Sequence, residues 1–417
     1  MLLNAGSIVG TTAVTGILGF AYWWLAARLF PPEAVGLASA AVSAMMLLGM
    51  LCIVGLGTLL IGELPRQPGK EASLISSALI LVGGIGICGG ILFALVAPLV
   101  SADFRAFRVS IGAILLFAVG VGLTAVTTVL DQALIGLLKG GLQFWRNTFF
   151  AAAKLALLFL AGFGLLKAGT MIYGTWAAGN ILSLLPLAGL VMWKVGRPSQ
   201  SFLPDWKLLR KLGLPALQHH MLNLILQAPT TALPVLVTIL LSATTNAWFY
   251  MAWMISGLVF IASYALTTVL YAVNSGQPSE LTRKIRVTLT LALAMCILGN
   301  CLMQLAATQI LDLFGHIYAE QAAWSLRIVA LGAFPMIFKH HYIAVSRIHS
   351  EMAHAALPVA IGCLLELGVA ALGAHLDGLV GLSLGWVAAI CIEAACMFPA
   401  VYQAAFPGRD DHKGLHG

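Results

Sequence analysis

The chain has 417 residues, 60% of them apolar and only 9% Asp, Glu, Lys or Arg. A soluble domain carries about 25% charge, so this composition excludes a soluble enzyme, which needs a charged surface, and equally a disordered chain. The net charge of +7 does not point to nucleic acid, because the basic residues sit in short stretches between apolar runs, where the positive-inside rule accounts for them.

A membrane-crossing helix needs about 20 apolar residues. Breaking the chain where Pro, Gly and charge interrupt the apolar runs gives twelve spans, roughly 5–29, 35–62, 72–100, 109–130, 148–166, 170–193, 213–241, 246–273, 286–307, 322–346, 354–375 and 379–404. The first run lacks a Lys/Arg leader, so it reads as a span and not as a cleaved signal. The seventh holds Pro215, Pro229 and Pro234 and is the span expected to break, since each proline removes a backbone donor. Loops after even-numbered spans carry 15 Lys or Arg and those after odd-numbered spans carry 4, with Lys154, Arg327 and Lys339 inside spans. That asymmetry predicts an even span count with both termini in the cytoplasm.

The longest connection, about 194–212, lies near the midpoint. Its segment from Pro204 to Lys211 reads as a short amphipathic helix on the inner membrane surface. The expected organisation is a six-helix lobe over 1–196, a cytoplasmic linker over 197–212, a second six-helix lobe over 213–405 and a cytoplasmic tail over 406–417. Glu33-Ala34-Val35-Gly36 and Asn246-Ala247-Trp248-Phe249 each precede a similar apolar run, about 212 residues apart. This is a weak parallel repeat, of the kind found in transporters that rock two halves about a central site.

Ionisable groups within spans are costly, about 2.5–3.5 kcal/mol at mid-helix on insertion scales, so they face a partner or a wet cavity unless they snorkel from an end. Arg28 ends the first span and reads either as a snorkelling cap or as an anion contact. Lys154 is about six residues into the fifth, and Asp131 and Arg146 are near it in sequence. Asp131 pairs with Lys139 or Arg146, or it belongs to an ion site. Arg327 suits snorkelling. Lys339, beside His340 and His341, belongs to an interfacial cluster or to a cavity. Glu366 and Glu393 lie too deep to reach water. They pair with Lys339 or a histidine, or they hold the proton or sodium ion that drives transport. His219, Asn223, Gln227 and Thr230 share one helical face, a stripe that hydrogen-bonds to other helices or meets sugar hydroxyls in a wet cavity. The seven cysteines have no metal-site or redox spacing and read as packing residues. No metal or organic cofactor is expected. No phosphate loop or catalytic side-chain set occurs in the short loops, so no enzyme is expected.

Three stretches carry a family resemblance. They are Leu18-Gly19-Phe20-Ala21 with Ala27-Arg28-Leu29-Phe30, Glu33-Ala34-Val35-Gly36-Leu37-Ala38 and Gly55-Leu56-Gly57-Thr58; Asp131-Gln132-Ala133-Leu134-Ile135-Gly136 with Gly140-Gly141-Leu142-Gln143 and Arg146-Asn147; and Asn246 to Met254. The chain resembles the multidrug/oligosaccharidyl-lipid/polysaccharide flippase superfamily, in particular its polysaccharide-export, O-antigen-type branch. The first stretch also resembles the lipid II flippases, whose first span carries two cavity arginines; Arg28 matches the later one, but Tyr22 stands at the earlier, which argues against lipid II as cargo.

The resemblance implies an all-α, MATE-like protein of a bacterial cytoplasmic membrane that flips a polyprenyl-diphosphate-linked oligosaccharide by alternating access. It implies substrate contacts at Arg28, Lys154, Lys339, His219, Asn223 and Gln227, and H⁺ or Na⁺ coupling at Asp131, Glu366 and Glu393. Expected partners are the lipid-linked oligosaccharide, membrane lipids, and a polysaccharide polymerase or glycosyltransferases. The alternatives are a cation-coupled multidrug antiporter of the same superfamily and a non-transport scaffold for envelope synthesis.

Overall fold

The computed structural model describes residues 2–195, 203–273, 278–349 and 352–406. All regular structure among them is helical: α1 (Leu2–Leu29), α2 (Pro32–Ile53), α3 (Leu56–Glu63), α4 (Glu71–Val100), α5 (Ile111–Gly136), α6 (Gly140–Gly162), α7 (Gly169–Val195), α8 (Trp206–Leu240), α9 (Ala243–Val273), α10 (Pro278–Asp312), α11 (His316–Leu331), α12 (Ala333–Ile348) and α13 (Met352–Ala405), with short 3₁₀ turns at Leu64–Arg66 and Ala102–Phe107. Ten helical stretches among the described residues are long and apolar enough to cross a membrane. One of them joins α11 and α12, and another is α13, whose two arms meet at a non-helical kink at Asp377 and Gly378. Counting α1 and both arms of α13, each of the twelve spans read from the sequence falls on helix.

The breaks fall elsewhere than the proline count suggests. α8 runs through Pro215, Pro229 and Pro234 without interruption. Threonine hydroxyls bond to main-chain carbonyls around the last two, Thr230 and Thr231 to Gln227 O and Thr238 to Pro234 O, the repair expected where water is absent. The segment read as a separate surface helix is the start of α8, and its Leu209 is buried with Leu60, Leu64 and Leu74. The second span breaks between α2 and α3, where Val54 (φ 48°) and Gly55 (φ 78°) are left-handed. The tenth breaks at Gly332, three residues ahead of Pro335, which lies in the first turn of α12, where its missing N–H costs nothing.

The chain divides into two compact units, Met1–Ala247 and Trp248–Gly417. α8 packs on α2, α3 and α4 and so groups with the first unit, whereas the sequence reading begins the second lobe with it. Residues 197–202 of the expected linker and 407–417 of the tail lie outside the described residues.

Within the first unit, α1 packs on α6, α6 on α7, and α2 on α5, α7 and α8. α4 and α5 meet through small residues, Gly86 against Gly122 and Gly90 against Ala118, the close packing that replaces hydrophobic collapse in lipid. Phe93, Phe104, Phe107, Phe117 and Tyr173 form one aromatic cluster under the 3₁₀ turn at 102–107. Large apolar side chains such as Leu92, Leu99, Leu160, Leu298, Leu305 and Leu364 are exposed, an outward apolar surface that a water-soluble protein does not carry.

In the second unit α10 packs on α11, and α13 packs on α11 and α12. The two arms of α13 cross at Gly373 and Gly381, where an added Cβ on either would overlap the other's backbone. Gly373→Val is therefore expected to separate the arms and destabilise the unit by about 1–3 kcal/mol, the usual cost of overpacking. Thermal unfolding of the detergent-solubilised protein measures this.

Candidate functional site

Two buried polar clusters stand out, one in each unit. In the first, α6 is apolar on its outside, with Trp145, Phe149, Phe159 and Leu160 exposed, and polar on its inside, with Gln143, Arg146 and Lys154 buried. Arg146 and Lys154 are eight residues apart, on the same side of the helix and separated by about 12 Å along it.

Arg146 makes a paired contact to Asp131 of α5, its Nε donating to Oδ1 at 2.7 Å and its Nη2 to Oδ2 at 2.6 Å. Its Nη1 donates to Ser183 Oγ of α7 at 3.3 Å, and Asn147 Nδ2 donates to Asp131 Oδ2 at 2.9 Å. The sequence reading counts Arg146 among loop cations. It lies instead inside α6, because pairing with Asp131 neutralises both charges and lets α5 and α6 extend to a tight turn at residues 137–139.

This bidentate geometry is the strongest form of the pair. Arg146→Met leaves the Asp131 carboxylate without its counter-ion and is expected to cost about 3–5 kcal/mol. Asp131→Asn combined with Arg146→Met is expected to recover most of that loss. A double-mutant cycle of unfolding midpoints measures the coupling.

Lys154 has no such partner. It is 4% exposed, and the ion pairs among the described residues do not include it. Its Nζ lies over three aromatic rings, 3.7 Å from the centre of Trp176 (α7), 4.9 Å from Tyr22 (α1) and 4.9 Å from Phe150 (α6). The Tyr22 hydroxyl is held by Ile172 O at 2.7 Å and Thr175 Oγ1 at 2.9 Å, which fixes the ring facing the ammonium. Gly179 of α7 faces the Lys154 backbone, where a side chain would crowd it. Ring faces stabilise a desolvated cation by about 2 kcal/mol but leave its charge unneutralised.

In the second unit, Lys339 of α12 bridges two glutamates from the two arms of α13. Its Nζ donates to Glu366 Oε1 at 2.5 Å and lies 2.8 Å from Glu393 Oε2. The Trp386 indole N–H donates to Glu366 Oε2 at 2.8 Å. All three charged residues are 5% exposed or less. Gly362, one turn before Glu366, faces the Glu393 carboxylate, and any Cβ there would displace it. His341 is engaged at Ile337 O and Thr288 Oγ1, and His340 at Ser263 Oγ.

The remaining expected site residues are dispersed. Arg28 is exposed in the last turn of α1. Asn223, Gln227 and Thr230 form an exposed polar stripe on α8, and the side chain of His219 lies outside the described residues. His220 instead is buried against Met50 O at 2.7 Å. Arg327 is half-buried over Trp324, with Nε donating to Gln304 O. The structure thus joins Asp131 with Arg146, and Lys339 with Glu366 and Glu393. The aromatic walls around Lys154 and the indole of Trp386 are the contributors that sequence reasoning missed. The only signal for the former was Tyr22 at the position of a family arginine. No group of three or more metal-ligating side chains occurs among the described residues.

No protein-family profile matches the chain, and no curated protein does. Solved structures do. An inward-facing multidrug resistance MATE family transporter of the MOP superfamily superposes with a TM-score of 0.74 at 16% identity, over 97% of this chain and 96% of that one. The lipid II flippase MurJ in an inward closed conformation gives 0.75 at 15% identity, over 96% and 87%. A MOP-superfamily transporter from Pyrococcus furiosus, described as having a binding pocket of reverse polarity, gives 0.61 at 14% identity, over 96% and 94%. At these identities the likeness is one of fold: the chain has the all-helical, MATE-like fold of the MOP-superfamily transporters.

Proposed function

We propose that the protein is a transporter of a bacterial cytoplasmic membrane that moves a polyprenyl-diphosphate-linked oligosaccharide from the inner to the outer leaflet. The obstacle is to carry a sugar and about two phosphate charges through ~30 Å of hydrocarbon while the lipid tail stays in the bilayer. Lys154 is the observation that carries this reading. A buried ammonium walled by three rings and lacking a carboxylate partner is a group kept for an anion that comes and goes. An electropositive site of this kind suits a diphosphate and repels a cationic drug.

On this reading Arg28 gives the diphosphate a second contact near the end of α1, and the exposed stripe of Asn223 and Gln227 on α8 meets sugar hydroxyls. Lys339 is taken up by its glutamates and acts on the coupling ion, not on cargo. Asp131, bound by Arg146 and Asn147, holds the first unit together more than it exchanges an ion. Alternating access would present the cargo to each leaflet in turn. A polysaccharide polymerase and the glycosyltransferases that build the precursor are the natural partners at the two membrane faces. The positive-inside asymmetry supports cytoplasmic termini.

A second reading, a cation-coupled multidrug antiporter, draws support from the second unit, where two carboxylates face one cation. Deletion of the gene separates the two. The flippase reading expects lipid-linked oligosaccharide to accumulate on the inner leaflet and surface polysaccharide to fall, with export restored by the wild-type gene and not by Lys154→Ala at equal protein level. Unchanged outer-leaflet delivery together with new drug sensitivity would favour the antiporter. If charge reversal at Arg28, Lys154 and Glu393 left function intact, a scaffold role would stand instead.

A further inference from the structure

The Lys339 cluster contains one cation and two carboxylates, and its parts are not equivalent. Glu366 is saturated, with Lys339 on Oε1 and Trp386 on Oε2. Glu393 is not. It has the Lys339 ammonium beside Oε2, neither of its oxygens accepts an aligned hydrogen bond, and its residue is 4% exposed. A buried carboxylate oxygen without a donor is costly in a protein interior and more so within a bilayer. Gly362 exists where a side chain would have pushed Glu393 away, so the space for that carboxyl is built into the helix pair.

We propose that this cluster is a proton site, not a sodium site, and that Glu393 is the group that gains and loses the proton. The inference rests on the transporter reading for its purpose, but not for its chemistry. The place a metal cation would occupy between the two carboxylates is already held by the Lys339 ammonium, at 2.5 and 2.8 Å. A hard cation also needs a shell of oxygens. The other groups at hand are an indole N–H, the Cys363 thiol and the Gly362 backbone edge. A proton needs only the one free lone pair that Glu393 offers. The step is balanced: the Glu393 carboxylate takes H⁺ from water to become a carboxylic acid, and the cluster goes from one net negative charge to none.

The neighbours leave Glu393 as the group that titrates. On α12 these are Lys339, which is the bridging cation, and His340 and His341, which are hydrogen-bonded to Ser263, Ile337 and Thr288. On α13 they are Cys363 and Glu366. α9 presents Trp253 and Phe260 against Trp386. On α10 and α11, Glu280 pairs with Lys284 and His316 with Asp312 and Glu320, while Arg286 donates to Ala405 O and Arg327 to Gln304 O. Protonation would release Lys339 to Glu366 alone and so loosen the tie between α12 and the second arm of α13. That is a conformational consequence a coupled transporter needs.

Infrared difference spectra of the full-length protein in lipid nanodiscs test this. In a titration from mildly acidic to mildly alkaline pH, the wild type is expected to lose a carboxylic acid carbonyl band. That band is expected to be missing in Glu393→Gln, to be displaced to lower pH in Glu366→Gln, where Lys339 is left facing one carboxylate, and to be unchanged when choline chloride is replaced by sodium chloride. A wild type with no titrating band, a band unmoved in Glu366→Gln, or a band displaced by sodium would overturn the proposal. The wild-type and Glu366→Gln arms decide it even if Glu393→Gln fails to fold. No cargo is present, so an intact band beside failed lipid transport would sink the flippase reading and leave this one standing.

Discussion

Lys154→Gln is expected to abolish most transport while the protein remains folded and inserted. The side chain is buried among Trp176, Tyr22 and Phe150 and has no ion pair to lose. Removing an uncompensated charge from a bilayer interior lifts a desolvation penalty, so stability should hold or rise. On the proposed flippase reading the loss falls instead on the cargo. A charge-assisted contact to a phosphate contributes about 1.5–3 kcal/mol, so its removal should slow translocation roughly 10- to 150-fold at 1.36 kcal/mol per decade. On the same reading, Lys154→Glu would place like charge against the diphosphate and should leave no measurable transport. The discriminating pattern is a large transport defect with an unchanged unfolding midpoint.

Lys339→Met is expected to do the opposite, with stability failing first. It strips the counter-ion from two carboxylates that are each less than 5% exposed, and breaking a buried pair from one side costs about 3–5 kcal/mol. That is a large share of the 5–15 kcal/mol that holds an ordinary domain together, so low yield and a sharply reduced melting temperature are expected. Adding Glu366→Gln and Glu393→Gln to the same chain removes the stranded charges and should restore folding but not coupled transport. If the single variant melted like the wild type, the ion pairs seen at 2.5 and 2.8 Å would not be what binds α12 to α13.

The spans were legible because lipid allows so few charges: a chain with 9% charged residues leaves its loops as the visible exceptions. Charges that cancel in space are not legible in this way. Asp131 and Arg146 looked like loop residues because each alone is too costly for a span, and only their contact in space, 2.6 Å apart, makes the longer α5 and α6 affordable. Prolines misled in the same way. The three in α8 do not break it, while a left-handed Val54–Gly55 step and the Asp377–Gly378 kink do break other helices, and those depend on backbone geometry that composition does not encode.

In the site, Glu366 and Glu393 could be paired with Lys339 from depth alone. The walls of Lys154 could not be found in this way, since they come from three helices up to 154 residues apart in sequence, and aromatic residues in spans ordinarily read as packing. Trp386 was hidden for a similar reason: an indole in a membrane helix is expected at the interface, not donating to a buried glutamate.

The most direct test is a leaflet-translocation assay with purified protein in liposomes. A fluorescent polyprenyl-diphosphate sugar is loaded on one leaflet, and its appearance on the other is followed by quenching. Wild-type protein should move it, Lys154→Gln protein of equal stability should not, and a neutral lipid with the same sugar should be ignored by both. Equal translocation by wild type and Lys154→Gln would contradict the idea that this buried cation receives the diphosphate.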